Sequence, residues 1–133
     1  MDAKTAAENL TLAQREASAA EIASQLAQAE VAVNQALAAV EARTASKATA
    51  AYDIAAAQYA TLPNGTTWAA RAAALTAKNS ALASLAVANA TVVTATAAAT
   101  AAATAGEDVI ASLRVVDAVK IRCETARRYG VMV

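Results

Sequence analysis

The chain has 133 residues, of which 45 are Ala, and its 11 acidic and 11 basic side chains cancel. Only 32 apolar residues remain once Ala is set aside, with no Phe, one Trp and three Tyr, so a thick globular core of large side chains is excluded. The absence of His removes the commonest general base and metal ligand, and a single Cys removes any internal disulfide.

Ala has the highest helix propensity and loses no side-chain entropy on folding, but it buries little surface. The composition therefore predicts long helices packed along thin seams, with a neighbouring copy supplying the missing burial. In chain order, MDAKTAAENL carries charge without an apolar stretch after it and does not read as a signal peptide. Thr5-Ala6-Ala7-Glu8 has capping-box spacing, and neither Gly nor Pro follows before Thr61, which predicts a first helix over about residues 3–61. At 1.5 Å per residue it would be roughly 85 Å long.

The large apolar residues of this helix recur at intervals of 11: Ile22 with Val33, Leu26 with Leu37 and Tyr59, and Val40 with Leu62. An 11-residue period is close to the natural twist of a helix and predicts nearly straight packing. Ile22, Leu26, Val33, Leu37, Val40 and Tyr59 are thus the expected contact stripe. Val31, Tyr52 and Ile54 lie off it and suggest a second face.

Leu62-Pro63-Asn64-Gly65-Thr66-Thr67 is a strong turn signal, expected over residues 62–66. Pro63 forces its predecessor out of the helical region, Asn-Gly supplies positive φ, and Thr66 or Thr67 is placed to cap the next helix. A second helix is predicted over about residues 67–105. Trp68, Leu75 and Leu82 are seven apart, and Leu85 and Val92 continue the pattern. Trp68 is read as a plug closing the hairpin end, with an exposed interface anchor as the functional reading.

Asn79 to Gly106 carries no charge over 28 residues. Most of that stretch is Ala, with Thr, Ser and Asn, which is near neutral for transfer into lipid, so a membrane span is not the expectation. Gly106 followed by Glu107-Asp108 predicts a kink and the N-terminus of a third helix over about residues 107–128, with Val109, Leu113 and Val116 as its stripe and Cys123 as a small core residue. Arg127 and Arg128 suit its C-terminal dipole, and Gly130 ends it. The lengths of the two arms match. The expected fold is all-α: a single elongated domain over residues 1–133, a long antiparallel helical hairpin with a kinked return arm, oligomeric through coiled-coil-like Ala-rich packing.

No phosphate-binding loop, dinucleotide fingerprint, nucleophile elbow or metal-ligand spacing occurs. Glu107 and Asp108 are adjacent in a helix and point apart, so they read as a cap. The chain is therefore expected to be no enzyme, with no cofactor, metal site or small-molecule substrate. The basic residues form no long patch, only a short C-terminal cluster of Lys120, Arg122, Arg127 and Arg128, so no nucleic-acid partner is expected.

Residues 86–105, AVANATVVTATAAATAAATA, and 36–51, ALAAVEARTASKATAA, resemble the Ala/Ser/Thr-rich helical stretches of tailed-phage fibre and other virion structural proteins. That resemblance implies a repeated virion component, such as a decoration, fibre or connector subunit. It would associate with itself and with other structural proteins, in the virion or the host cytoplasm. A Trp beside a hairpin turn, in Asn64-Gly65-Thr66-Thr67-Trp68, is similar in placement to the small secreted Trp-x-Gly helical-hairpin proteins, although the Trp-x-Gly order itself is absent. This second likeness implies an adaptor that binds a heterologous protein, secreted without a cleavable signal peptide.

Overall fold

The computed structural model describes residues 2–130. It is all-helical: α1 spans Ala3–Thr61 and α2 spans Gly65–Arg128, packed against each other as a hairpin. The tight connection at Leu62-Pro63-Asn64 falls where Pro63 predicted it.

The helix ends differ in detail from the expectation. Asp2, not Thr5, caps α1: its carboxylate accepts the Thr5 N–H at 2.8 Å, and its backbone carbonyl accepts the Ala6 N–H at 3.1 Å. Asn64, not Thr66 or Thr67, caps α2. Its side-chain oxygen accepts the Thr67 N–H at 2.9 Å, while the Thr67 hydroxyl accepts the Asn64 N–H at 3.1 Å and donates to the Leu62 carbonyl at 2.7 Å. The exchange is a capping box with Thr in the returning position. Gly65 lies inside the first helical turn and has no positive φ, so the turn needs no left-handed residue. Gly130 does adopt φ +70 and ends α2, with its N–H donating to the Arg127 carbonyl at 3.3 Å.

Gly106 neither breaks α2 nor starts a third helix; the helix runs unbroken through it. An isolated Gly costs about 1 kcal/mol against Ala in a helix, which the surrounding Ala-rich turns absorb. The Thr residues are accommodated in the same way. The hydroxyls of Thr91, Thr94 and Thr100 each donate to the carbonyl four residues back, at 3.0–3.1 Å, so they are satisfied within the helix itself.

The chain divides into two compact units, Met1–Ala29 with Thr96–Val133, and Glu30–Ala95. Each contains a stretch of α1 paired with a stretch of α2, and each pairs them through small side chains. In Glu30–Ala95 the seam on α1 is Ala38, Glu41, Ala45, Ala48, Tyr52, Ala55 and Tyr59, and on α2 it is Arg71, Ala74, Lys78, Ala81, Leu85, Ala88, Val92 and Ala95, all buried or half-buried. The steps alternate between three and four, which is a seven-residue cycle and not the expected 11.

Size complementarity sets the register of this seam. The Arg71 guanidinium lies 5.3 Å from the Tyr59 ring centroid, and the Lys78 ammonium lies 4.8 Å from that of Tyr52. One heptad further along each helix, Leu85 meets Ala45, and the two line one hollow. A large residue thus faces a small or flexible one at successive levels, and between these levels Ala81 and Ala55 are buried at 8% exposure. Small residues on both helices leave room for the two backbones to approach closely.

In the other unit both helices mix small and large residues: Leu10 is buried on α1, and Ala99, Ala102, Val109, Leu113 and Val116 are half-buried on α2. Ala6 and Ala13 are buried along α1, and Ala17 and Ser24 line a hollow with Gly106 and Leu113 of α2. Cys123 is buried at 4% exposure, in keeping with its apolar neighbours. Lys120 pairs with Glu124 at 3.5 Å, one helical turn on.

Candidate interaction surface

The residues expected to form the contact stripe divide into two sets. Tyr59, Leu85, Val92, Val109, Leu113 and Val116 lie half-buried in the seams. Ile22, Leu26, Val33, Leu37 and Val40 do not: they are 52–64% exposed. Trp68, at 58%, is no plug, and Leu75 and Leu82 are also exposed. Of the large residues in the 11-residue stripe of α1, the seam of the hairpin thus takes in Tyr59 and leaves Ile22, Leu26, Val33, Leu37 and Val40 exposed. Of the residues off that stripe, Val31 and Tyr52 face inward, and only Ile54 is exposed. The physical reason is steric. A seam that holds two backbones close has room for Ala, and the large side chains are displaced to the flanks.

In the unit Glu30–Ala95 these displaced residues form two flanks. On the first, Leu37 of α1 and Val87 of α2 line an open groove with Asn34, Glu41, Ser80 and Thr91. Val33, Val40 and Ile54 recur along the same edge of α1 at one position of the seven-residue cycle, with Lys47 between them. Ile54 borders a further hollow with Gln58 and Thr61. On the second flank, Trp68, Leu75 and Leu82 recur at seven-residue spacing along α2. Leu82 lines a hollow with Thr49 and Asp53 of α1. Leu37 and Leu82 border opposite sides of the seam, since they line different grooves between the same two helix segments.

The charges of this unit are placed unevenly. Between Gly65 and Ala95 the only charged residues on α2 are Arg71 and Lys78, and both are drawn into the seam over tyrosine rings. The outward surface of this α2 segment is uncharged. In the other unit Leu12, Ile22 and Leu26 on α1 and Ile110, Val115 and Ile121 on α2 are likewise exposed.

The grooves are open to water and are lined mainly by Ala, Ser, Thr, Leu and Val side chains. Among the described residues no three His, Cys, Asp or Glu side chains gather as a metal site requires. The Asp2 carboxyl is held below the usual aspartate value by the Thr5 N–H, as expected of an exposed cap.

α2 is long and apolar enough to cross a membrane, by length and composition. The α1 segment of the unit Glu30–Ala95 carries Glu30, Glu41, Arg43, Lys47 and Asp53. A charged residue at the centre of a spanning helix costs about 2.5–3.5 kcal/mol.

The pattern of large apolar residues revealed the α2 side of the seams at Leu85, Val92, Val109, Leu113 and Val116, but on α1 between Ala38 and Ala55 it could not, because the seam there is made mainly of small ones. A scan for Ala, Ser and Gly at alternating three- and four-residue steps, together with the Tyr52/Tyr59 and Arg71/Lys78 pairs at matching heptad spacing, is the signal that would have found it. No known protein family matches the chain, and neither a characterised protein nor a solved structure matches it.

Proposed function

We propose that this chain is a non-enzymatic structural protein that associates with further copies of itself through the exposed flanks of its Ala-rich hairpin, as a repeated component of a larger particle such as a phage virion. The observation that carries this reading is the surface left uncovered. On α1 Ile22, Leu26, Val33, Leu37, Val40 and Ile54 are 52–64% exposed, and on α2 Trp68, Leu75 and Leu82 are 39–58% exposed. Large apolar side chains left in water along both helices are the composition of an unfilled contact.

Light scattering coupled to size exclusion tests the reading. A discrete oligomer of high helicity is expected from the unaltered chain. Replacing Leu26, Leu37 and Leu82 together by Asp is expected to give a helical monomer, because all three are exposed in the hairpin and their loss leaves its seams intact. An unaltered chain that stays monomeric at all concentrations would overturn self-assembly. It would favour the alternative of an adaptor for a heterologous protein, which the exposure of Trp68 beside the turn supports.

A further inference from the structure

The turn holds a reactive pair of residues that the assembly reading does not use. Asn64 precedes Gly65, and both are exposed. In a flexible chain the nitrogen of a Gly can reach the side-chain amide of a preceding Asn, because Gly lacks the Cβ that hinders the approach. A Cβ built on Gly65 would meet nothing within 4 Å, so the pair is open to water. The Gly65 N–H belongs to the first turn of α2, where the leading N–H groups have no intrahelical acceptor.

Asn64, in contrast, is held at three points. Its side-chain oxygen accepts the Thr67 N–H at 2.9 Å, and its carbonyl accepts the Trp68 N–H at 2.9 Å. Its own N–H donates to the Thr67 hydroxyl at 3.1 Å, and that hydroxyl is anchored on the Leu62 carbonyl at 2.7 Å. To join Asn64 Cγ to the Gly65 nitrogen, the carboxamide must turn its face toward that nitrogen and the Asn64–Gly65 peptide plane must rotate to meet it. The first movement gives up the bond from the Thr67 N–H, and the second gives up the bond from the Trp68 N–H.

We propose that Asn64–Gly65 is a self-modification site gated by the α2 cap, converting through a cyclic imide only when the Asn64–Thr67 box opens. Hydroxide takes the proton of the Gly65 N–H, and the nitrogen bonds to Asn64 Cγ. The Cγ–Nδ2 bond then breaks, and ammonia leaves with a proton from water. Water next opens the ring. Addition at Cγ breaks its bond to the Gly65 nitrogen and leaves an aspartate on the original backbone. Addition at the Asn64 backbone carbonyl carbon breaks that bond instead and leaves isoaspartate, whose main chain runs through Cγ. The two products act differently on the turn. Aspartate is as good a cap as asparagine and places negative charge at a helix N-terminus, where the dipole favours it. Isoaspartate inserts a carbon into the main chain between residues 64 and 65. The acceptors for the Thr67 and Trp68 N–H groups are then displaced, and α2 loses its cap.

The full chain, folded or in denaturant, is incubated at mildly alkaline pH. The tryptic peptide that ends at Arg71 contains Asn64 and is followed by mass spectrometry, with isoaspartyl methyltransferase labelling to separate the two products. Asn79, which precedes Ser80 inside α2, is read in the same digest as a reference for global unfolding. Asn64 is expected to react at least several-fold more slowly in the folded chain than in denaturant. Thr67→Val keeps the side-chain shape and removes the hydroxyl of the box. It is expected to speed the reaction at Asn64 by roughly two- to tenfold, the rise in open fraction for losing one capping bond, and to leave Asn79 unchanged. Gly65→Ala is expected to suppress the reaction, because the added Cβ hinders ring closure. A folded chain that reacts as fast as the denatured one would overturn the gate. So would a Thr67→Val chain that reacts no faster than the unaltered one, or one in which Asn79 speeds up in step with Asn64. An undiminished reaction in Gly65→Ala would overturn the imide route.

Discussion

Replacing Ala45 by Leu tests the small-residue seam most directly. Ala45 is 4% exposed and shares a hollow with Leu85 of the opposing helix. The substitution sets Leu against Leu at a level built for Leu against Ala, so the helices must separate or the side chains must leave their rotamers. Overpacking of this kind costs about 1–3 kcal/mol. For a chain of this length each kcal/mol shifts Tm by roughly 3–5 °C, so the expected fall is about 3–15 °C. The control is Ala36→Leu on the exposed face of the same helix, where the change should stay within about 0.5 kcal/mol, or roughly 2 °C. Thermal melting followed by far-ultraviolet circular dichroism reads both, at low concentration so that association between copies does not contribute. If Ala45→Leu melts with the unaltered chain, or no lower than Ala36→Leu, the close approach of α1 and α2 at Ala45 is wrong.

The remaining expectations concern the register, the middle and the start of the helices. A double-mutant cycle with Tyr52→Leu and Lys78→Met should give a coupling of about 0.5–1 kcal/mol, from the ammonium 4.8 Å from the ring centroid; coupling within error of zero would mean that the two do not pair in solution. Gly106→Ala should stabilise the chain by about 0.5–1 kcal/mol, because an added Cβ meets nothing within 4 Å and the helix is continuous there; a lower Tm would point to a real interruption at that site. The Asp2 carboxyl should titrate below the ordinary aspartate value in an NMR pH series, since the Thr5 N–H favours its charged form. The folded state then binds this proton less readily than the unfolded state, so the cap contributes fully above the unfolded aspartate pKa and fades as pH falls through the depressed folded value. A normal or raised pKa would remove Asp2 as the cap.

The sequence by itself determined that the chain is helical, that it reverses at Pro63 and that its second arm ends near Gly130. These outcomes are local. They follow from Ala propensity over 45 positions, from the missing N–H of Pro63, and from the left-handed preference of a terminal Gly. Cap identity was only partly legible, because Asp2, Thr5, Asn64, Thr66 and Thr67 are all competent caps, and the choice among adjacent candidates depends on where the first helical turn closes.

Only the tertiary structure decided which side of each helix faces inward. In most proteins the largest apolar side chains mark the core, and that rule picked out Ile22, Leu26, Val33, Leu37 and Val40. Here Ala lies on every face of both helices, so burying the large residues is only one of two available solutions. The other buries Ala45, Ala55 and Ala81, draws Tyr52 and Tyr59 under Lys78 and Arg71, and turns Ile22, Leu26, Val33, Leu37 and Val40 outward. Choosing between them depends on how two specific helices fit along a shared length, a property of the pair that neither segment carries alone. The same choice creates the candidate interaction surface, because the side chains excluded from a thin seam are those left available to another copy.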